Sequence, residues 1–226
     1  MTLNLSGRRL LAELIGTFAL VFAGTGAIVI NHASGGAVTH LGIAITFGLV
    51  VFALIAALGD ISGAHLNPAV TLSLWRAGRT DSSTVVGYLL AQGIGAVLAS
   101  LVLHRLFPAD STLGGTTPAG SWEQTWCLEF LLTAFLVWVI LSVTDADRVP
   151  VPYAALGIGS VVGLEALFAG PISGASMNPA RSLGPALVSG HWDTLWIYLT
   201  APVLGGLAAV TACRLLRPGR CCAGGC

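Results

Sequence analysis

The tripeptide Asn-Pro-Ala occurs twice, as Asn67-Pro68-Ala69 and Asn178-Pro179-Ala180, each at the end of a matching octapeptide. Ser62-Gly63-Ala64-His65-Leu66 leads into the first and Ser173-Gly174-Ala175-Ser176-Met177 into the second. Two further stretches recur in the same order. Ala12-Glu13-Leu14-Ile15-Gly16-Thr17-Phe18 is echoed by Leu128-Glu129-Phe130-Leu131-Leu132-Thr133-Ala134, and Gly87-Tyr88-Leu89-Leu90-Ala91 by Ile197-Tyr198-Leu199-Thr200-Ala201. The chain is therefore a duplicated unit, and whatever one half folds into the other must fold into as well.

Composition decides which solvent that fold meets. Hydrophobic residues make up 55% of the 226 residues, charged residues 9%, and mean hydropathy is +0.86. A soluble domain carries roughly 25% charged residues, so this chain cannot cover itself with a hydrated surface. A net charge of zero without a basic block excludes nucleic-acid binding. Six apolar segments approach the roughly 20 residues needed to cross a bilayer: 10–30, 41–58, 85–106, 126–143, 151–169 and 195–216. The first is too long for a signal core and lacks a small-x-small cleavage site, so it reads as a span. The five cysteines show no secreted disulfide framework.

Every basic side chain is Arg, consistent with a bacterial source. An N-terminus inside the cell places Arg8, Arg9, Arg76, Arg79, Arg148, Arg214, Arg217 and Arg220 on the cytoplasmic side, leaving only Arg105 and Arg181 elsewhere. Trp122, Trp126, Trp192 and Trp196 then fall near the outer interface. Each half holds three spans, an odd number, so the second half is inverted relative to the first. Inverted repeats place a functional site at mid-membrane, often on broken helices.

Asn is a favoured N-cap and Pro fits the first helical position, so each Asn-Pro opens a helix. These helices run to about Arg76 and Val188, and ten residues make about 15 Å, half of a roughly 30 Å hydrocarbon core. Two such half-helices meeting at their N-termini make one complete span. Their dipoles then oppose cations and protons at the centre. The Asn67 and Asn178 amides can offer N–H donors to a passing oxygen. Neutral hydroxylated solutes pass such a site and charge is rejected.

With Glu13 and Glu129 at matching places, the two boxes resemble those of the aquaporin or major intrinsic protein family, over roughly Arg9 to Arg217. The run 169–186, Ala-Gly-Pro-Ile-Ser-Gly-Ala-Ser-Met-Asn-Pro-Ala-Arg-Ser-Leu-Gly-Pro-Ala, is most similar to the nodulin-like intrinsic proteins. The resemblance implies an all-α membrane protein of six transmembrane helices and two re-entrant half-helices, in one channel domain spanning residues 1–226. Repeats of 8–106 and 124–217 precede a cytoplasmic tail at 218–226. It further implies a homotetramer in the inner membrane, both termini cytoplasmic, without cofactor or enzymatic activity. The expected cargo is water, glycerol and metalloid hydroxides such as arsenous, boric or silicic acid.

By the same resemblance the narrow filter maps to Phe47, Ala166, Ala175 and Arg181. Water-selective members usually carry His where this chain has Ala166, so two small residues leave a wider slot with one greasy and one hydrogen-bonding wall. Nodulin-like members often carry Trp where Phe47 stands. A strict water pore is the alternative within the channel class, and an ion-coupled secondary transporter the alternative outside it. Arg181 follows Asn178 by three residues on one helical face, and an intramembrane Arg is a functional candidate because its burial is costly. It can also hold loop carbonyls.

Glu13 and Glu129, buried near span starts, need donors, and the re-entrant loops have N–H groups to satisfy; both carboxylates read as braces. Glu165 reads as paired or hydrated away from the lumen, or alternatively as a carboxylate beside Arg181. His65 reads as a vestibule or loop-packing residue, and His32, His40, His104 and His191 as interfacial. No metal-ligand spacing or nucleophile–base set is evident. Gly87, Gly93, Gly95, Gly157, Gly163, Gly205 and Gly206 read as sites of close helix packing. Cys221, Cys222 and Cys226 read as an unstructured reduced tail, with thiol capture of a metalloid or acylation as alternatives.

Overall fold

The computed structural model describes residues 4–144 and 149–217; Arg148, Arg220 and the cysteine-bearing tail at 218–226 lie outside the described residues. Among the described residues eight helices follow in order: α1 (Leu5–Ala33), α2 (Thr39–Ser62), α3 (Pro68–Ala77), α4 (Ser82–Leu106), α5 (Trp122–Val143), α6 (Val151–Ser173), α7 (Pro179–Ser189) and α8 (Leu195–Leu216). Six are long and apolar enough to span a membrane. The other two, α3 and α7, have 10 and 11 residues and are half-spans.

The spans outrun the apolar segments because polar caps and turns extend them. The Asn4 side chain accepts from Gly7 N and Ser121 from Gln124 N, which starts α1 and α5 several residues before the hydrophobic run. The largest surprise is α6, which continues through Pro171 to Ser173. Proline lacks the N–H that would reach the Leu167 carbonyl, one turn back. His40 Nε2 lies 2.6 Å from that oxygen and stands in for the missing donor. The ring fits against Gly170, where a Cβ would come within 3.0 Å of it.

Within each half the first span packs on the third, α1 on α4 and α5 on α8. Gly95 and Gly205, at equivalent positions, let these pairs touch: an added Cβ would collide with the Leu14 and Phe130 carbonyls. Gly93 differs from expectation, because it faces open space. The halves join where α2 crosses α6. A Cβ on Gly48 would lie 2.8 Å from the Gly159 carbonyl oxygen, and one on Gly159 2.6 Å from that of Gly48. These residues are 111 positions apart, the same offset as Asn67 and Asn178. A residue that meets its own repeat-mate lies on the two-fold pseudo-axis. That axis therefore runs through the α2–α6 crossing and through the two Asn-Pro-Ala sequences.

Six crossings leave the beginning of α1 and the end of α8 at one end, called here the terminal end. The segments 34–38, 107–121 and 190–194 occupy the far end, where Trp122 and Trp196 contact each other at 5.4 Å.

Candidate pore and constriction

Each re-entrant loop leaves its span through a left-handed glycine, Gly63 (φ 82°) or Gly174 (φ 84°). Two more left-handed residues follow in each, Ala64 and Leu66 in the first and Ala175 and Met177 in the second. Such non-glycine conformations cost of order 1 kcal/mol each and persist only when neighbours over-determine them. Glu13 supplies that constraint to the first loop. Its carboxylate accepts from Ser62 Oγ at 2.7 Å, His65 N at 2.9 Å and Leu66 N at 2.7 Å. Glu129 accepts from Ser173 Oγ at 2.7 Å, Ser176 N at 2.9 Å and Met177 N at 2.8 Å. A planar trans peptide turns each preceding carbonyl away from these N–H groups. The Ala64, His65, Ala175 and Ser176 carbonyl oxygens thus point opposite to the carboxylates, and all four residues line the central cavity.

The repeats are not identical. Glu13 has a fourth donor, Gln92 Nε2 at 2.8 Å, which also reaches Thr71 Oγ1. The equivalent position on α8 falls at Pro202, which has no such donor. Tyr88 and Tyr198 keep the symmetry, each hydroxyl donating at 2.7 Å to the last carbonyl of the neighbouring span, that of Ser62 or Ser173.

Asn67 Oδ1 caps α3 by accepting from Ala69 N at 2.8 Å, and Asn178 Oδ1 caps α7 by accepting from Ala180 N and Arg181 N. Each Nδ2 also donates across the axis, Asn67 to the Met177 carbonyl at 2.8 Å and Asn178 to that of Leu66 at 2.9 Å. A primary amide has two N–H groups. One N–H of each asparagine thus locks the opposite loop, and both asparagines line the central cavity. Proline at the first helical position of α3 and α7 costs no hydrogen bond.

A cavity of about 110 Å³ runs from Thr144 at the terminal end past both asparagines to Phe47 and Arg181. A wider one of about 580 Å³ opens at the far end. Phe47 and Arg181 line both, so the passage narrows between them, where the Arg181 guanidinium carbon lies 5.3 Å from the Phe47 ring centre. Ala175 lines the inner cavity and Ala166 the far one. Glu165 lines neither; it is fully buried, and neither carboxylate oxygen has a partner among the described residues. Of the expected alternatives, paired or hydrated away from the lumen, a protein partner is not found among the described residues. His65 lines the inner cavity, with Nδ1 3.1 Å from Thr71 Oγ1 and its ring edge-on to Tyr88.

Arg181 is 2% exposed: Nη1 donates to the Gly114 carbonyl at 2.9 Å, while Nε is enclosed and has no partner among the described residues. A guanidinium that lines both cavities beside an aromatic wall can donate to a hydroxyl oxygen and repel cations. Several contributors escaped the sequence reading. Gly24 on α1 is where the Phe47 ring rests, since a Cβ there would strike it. Gly114 and Asp110 come from an irregular segment with no motif to mark it. At the terminal mouth, buried Arg79 donates to Thr144 Oγ1 at 2.8 Å and to the Leu141 carbonyl.

Inverted three-span halves, half-helices abutting at their N-termini and a lumen pinched once define a class of protein, the transmembrane channel with re-entrant loops. The sequence pattern of the family described as Major intrinsic protein matches residues 2–212. The chain is 45% identical over 215 residues to aquaporin NIP1-2 of Oryza sativa subsp. japonica, covering 92% of this chain and 71% of that one. It is 42% identical over 218 residues to aquaporin NIP3-1 of Arabidopsis thaliana, covering 93% and 68%. The X-ray structure of the aquaglyceroporin from Plasmodium falciparum superposes with a TM-score of 0.87 at 25% identity, over 94% of this chain and 98% of that one. This chain belongs to the major intrinsic protein family, and among the relatives it matches are nodulin-like aquaporins.

Proposed function

We propose that the lumen is a passive pore for water and small uncharged hydroxylated solutes, glycerol and metalloid hydroxides among them, and that ions and protons are excluded. The protein is a channel and not an enzyme. In this reading Asn67, Pro68, Ala69, Asn178, Pro179 and Ala180 form the central donor site, and Phe47, Ala166, Ala175 and Arg181 the selectivity filter. Glu13 and Glu129 hold the re-entrant loops, and His65 belongs to the inner vestibule. One channel unit is built from the repeats 8–106 and 124–217.

A single observation carries the substrate range: where Phe47 and Arg181 approach, the two remaining filter positions are alanines. An apolar ring on one wall suits a carbon backbone or the edge of a trihydroxide, and the guanidinium opposite suits its hydroxyls. Protons are stopped at the centre because a water accepting from two asparagine donors has no lone pair left to accept a proton from the file, and the two helix N-termini add an electropositive barrier.

The terminal end is assigned to the cytoplasm of a cell with an inner membrane, following the excess of Arg in 8–9, 76–79 and 214–217. A homotetramer is assigned as the working assembly; α2 leaves most of its apolar surface uncovered within one chain, which supports a neighbour there.

The experiment is stopped-flow light scattering of proteoliposomes with water, glycerol, boric acid and arsenite, alongside a proton-leak assay. All four solutes are expected to pass without proton leak. Ala166→His is expected to lower glycerol permeability by about tenfold or more relative to water, the discrimination that small steric changes command in a tight site. Equal loss of both fluxes would remove Ala166 from the filter.

A further inference from the structure

The carbonyl that holds Arg181 belongs to Gly114, in the segment 107–121 between α4 and α5. This segment contains no regular helix or strand, so its accuracy of placement needs a cause. Leu113 and Gly114 are consecutive left-handed residues, with φ of 52° and 65°. Burial anchors them in part: Leu113 is wholly enclosed, and a Cβ on Gly114 would lie 2.7 Å from the Thr25 carbonyl oxygen of α1. Burial alone does not set the direction of the Gly114 carbonyl.

The direction is set by Asp110. Its Oδ1 accepts from Thr112 N at 3.0 Å, Thr112 Oγ1 at 3.0 Å and Leu113 N at 2.8 Å, which closes the turn just ahead of Gly114. Its Oδ2 lies 2.9 Å from His32 Nδ1, in the last turn of α1. One carboxylate thus ties the loop to itself and to a span. A continuous path results, from His32 through Asp110, the 112–113 backbone and the Gly114 carbonyl to the guanidinium.

We propose that Asp110, which touches no part of the lumen itself, is a positioning residue for solute selection and acts through the Gly114 carbonyl on Arg181. The inference rests on Arg181 acting at the constriction. Without Asp110 the turn loses three internal bonds and its tether to α1. The guanidinium, no longer drawn toward the loop, then leans into the passage over Phe47.

The test measures the glycerol-to-water permeability ratio in proteoliposomes for Asp110→Ala, Asp110→Asn, Asp110→Glu, Arg181→Ala and the Asp110→Ala/Arg181→Ala double variant. Asp110→Ala is expected to lower the ratio about three- to tenfold, the scale of one lost positioning hydrogen bond. Asp110→Asn keeps an Oδ1 acceptor for Thr112 and Leu113 and is expected to restore most of the ratio. Asp110→Glu keeps the charge but overshoots the turn and behaves as the alanine variant does, which serves if the latter does not reach the membrane. In the Arg181→Ala background, loss of Asp110 is expected to produce no further change. If Arg181→Ala alters the ratio while Asp110→Ala and Asp110→Glu do not, or if the Asp110 effect persists without Arg181, the proposal is overturned. If Arg181→Ala itself leaves the ratio unchanged, the filter reading has failed and this inference goes with it.

Discussion

At the residue scale the constriction is shaped as much by missing side chains as by present ones. Phe47 keeps its ring off the lumen axis only because position 24 has no Cβ. Gly24→Ala is therefore expected to push the ring toward Arg181 and cut glycerol permeability about tenfold relative to water, the effect of one methyl in a tight site; stopped-flow measurement of both solutes checks it. Asp110 carries a second expectation. Burial pushes its carboxyl up, but hydrogen bonds from His32, Leu113 N and Thr112 outweigh this and hold it below the ordinary 3.8. A depressed carboxylate stabilises the folded loop above its ordinary value and loses that contribution as pH falls through the lower folded one. The other titratable side chains lining the same vestibule, His40, His191 and Arg181, are neutral or cationic and do not reverse the sign. Pepsin cleavage within 107–121 should therefore increase as pH falls below 3.8 in the native chain, and should already occur at higher pH in Asp110→Ala. Neither Gly24 nor Asp110 is legible in the sequence, because each owes its role to a group brought up from a distant segment.

At the element scale the half-helices were fully legible, since their capping chemistry is local: Asn, Pro and a short apolar run suffice. The end of α6 was not. Gly170-Pro171 reads as a stop, and the helix continues because a histidine 131 positions earlier supplies the donor that proline lacks. His40→Ala is expected to lower stability by about 1 kcal/mol, a net hydrogen bond. Pro171→Ala in the same chain should return most of it, because residue 171 then donates its own N–H to Leu167. Thermal unfolding in detergent distinguishes the single from the double variant, and failure of the second substitution to compensate would refute the pairing.

At the scale of the whole molecule, inverted repeats are shared by channels and by secondary transporters, and the two part company on energetics. Here the Asn67 and Asn178 amides tie each re-entrant loop to the other across the pseudo-axis, while Glu13 and Glu129 hold each loop to its own half. Rocking one half against the other would break both of these buried cross-axis amide bonds together. Flux is thus expected to run in either direction, to rise linearly with solute concentration and to be indifferent to ionophores that collapse ion gradients; saturation or dependence on a gradient in the vesicle assay would contradict it. Duplication, span count, the half-helices and the place of Glu13, Glu129 and Arg181 were determined by the sequence alone, because hydropathy, helix caps and the cost of burying charge act on a residue through its near neighbours. Which carbonyl orients Arg181, which glycine seats Phe47 and which ring repairs α6 were decided only by tertiary packing, since a contact between separate segments, whether 23, 67 or 127 residues apart, leaves no periodic trace in either of them.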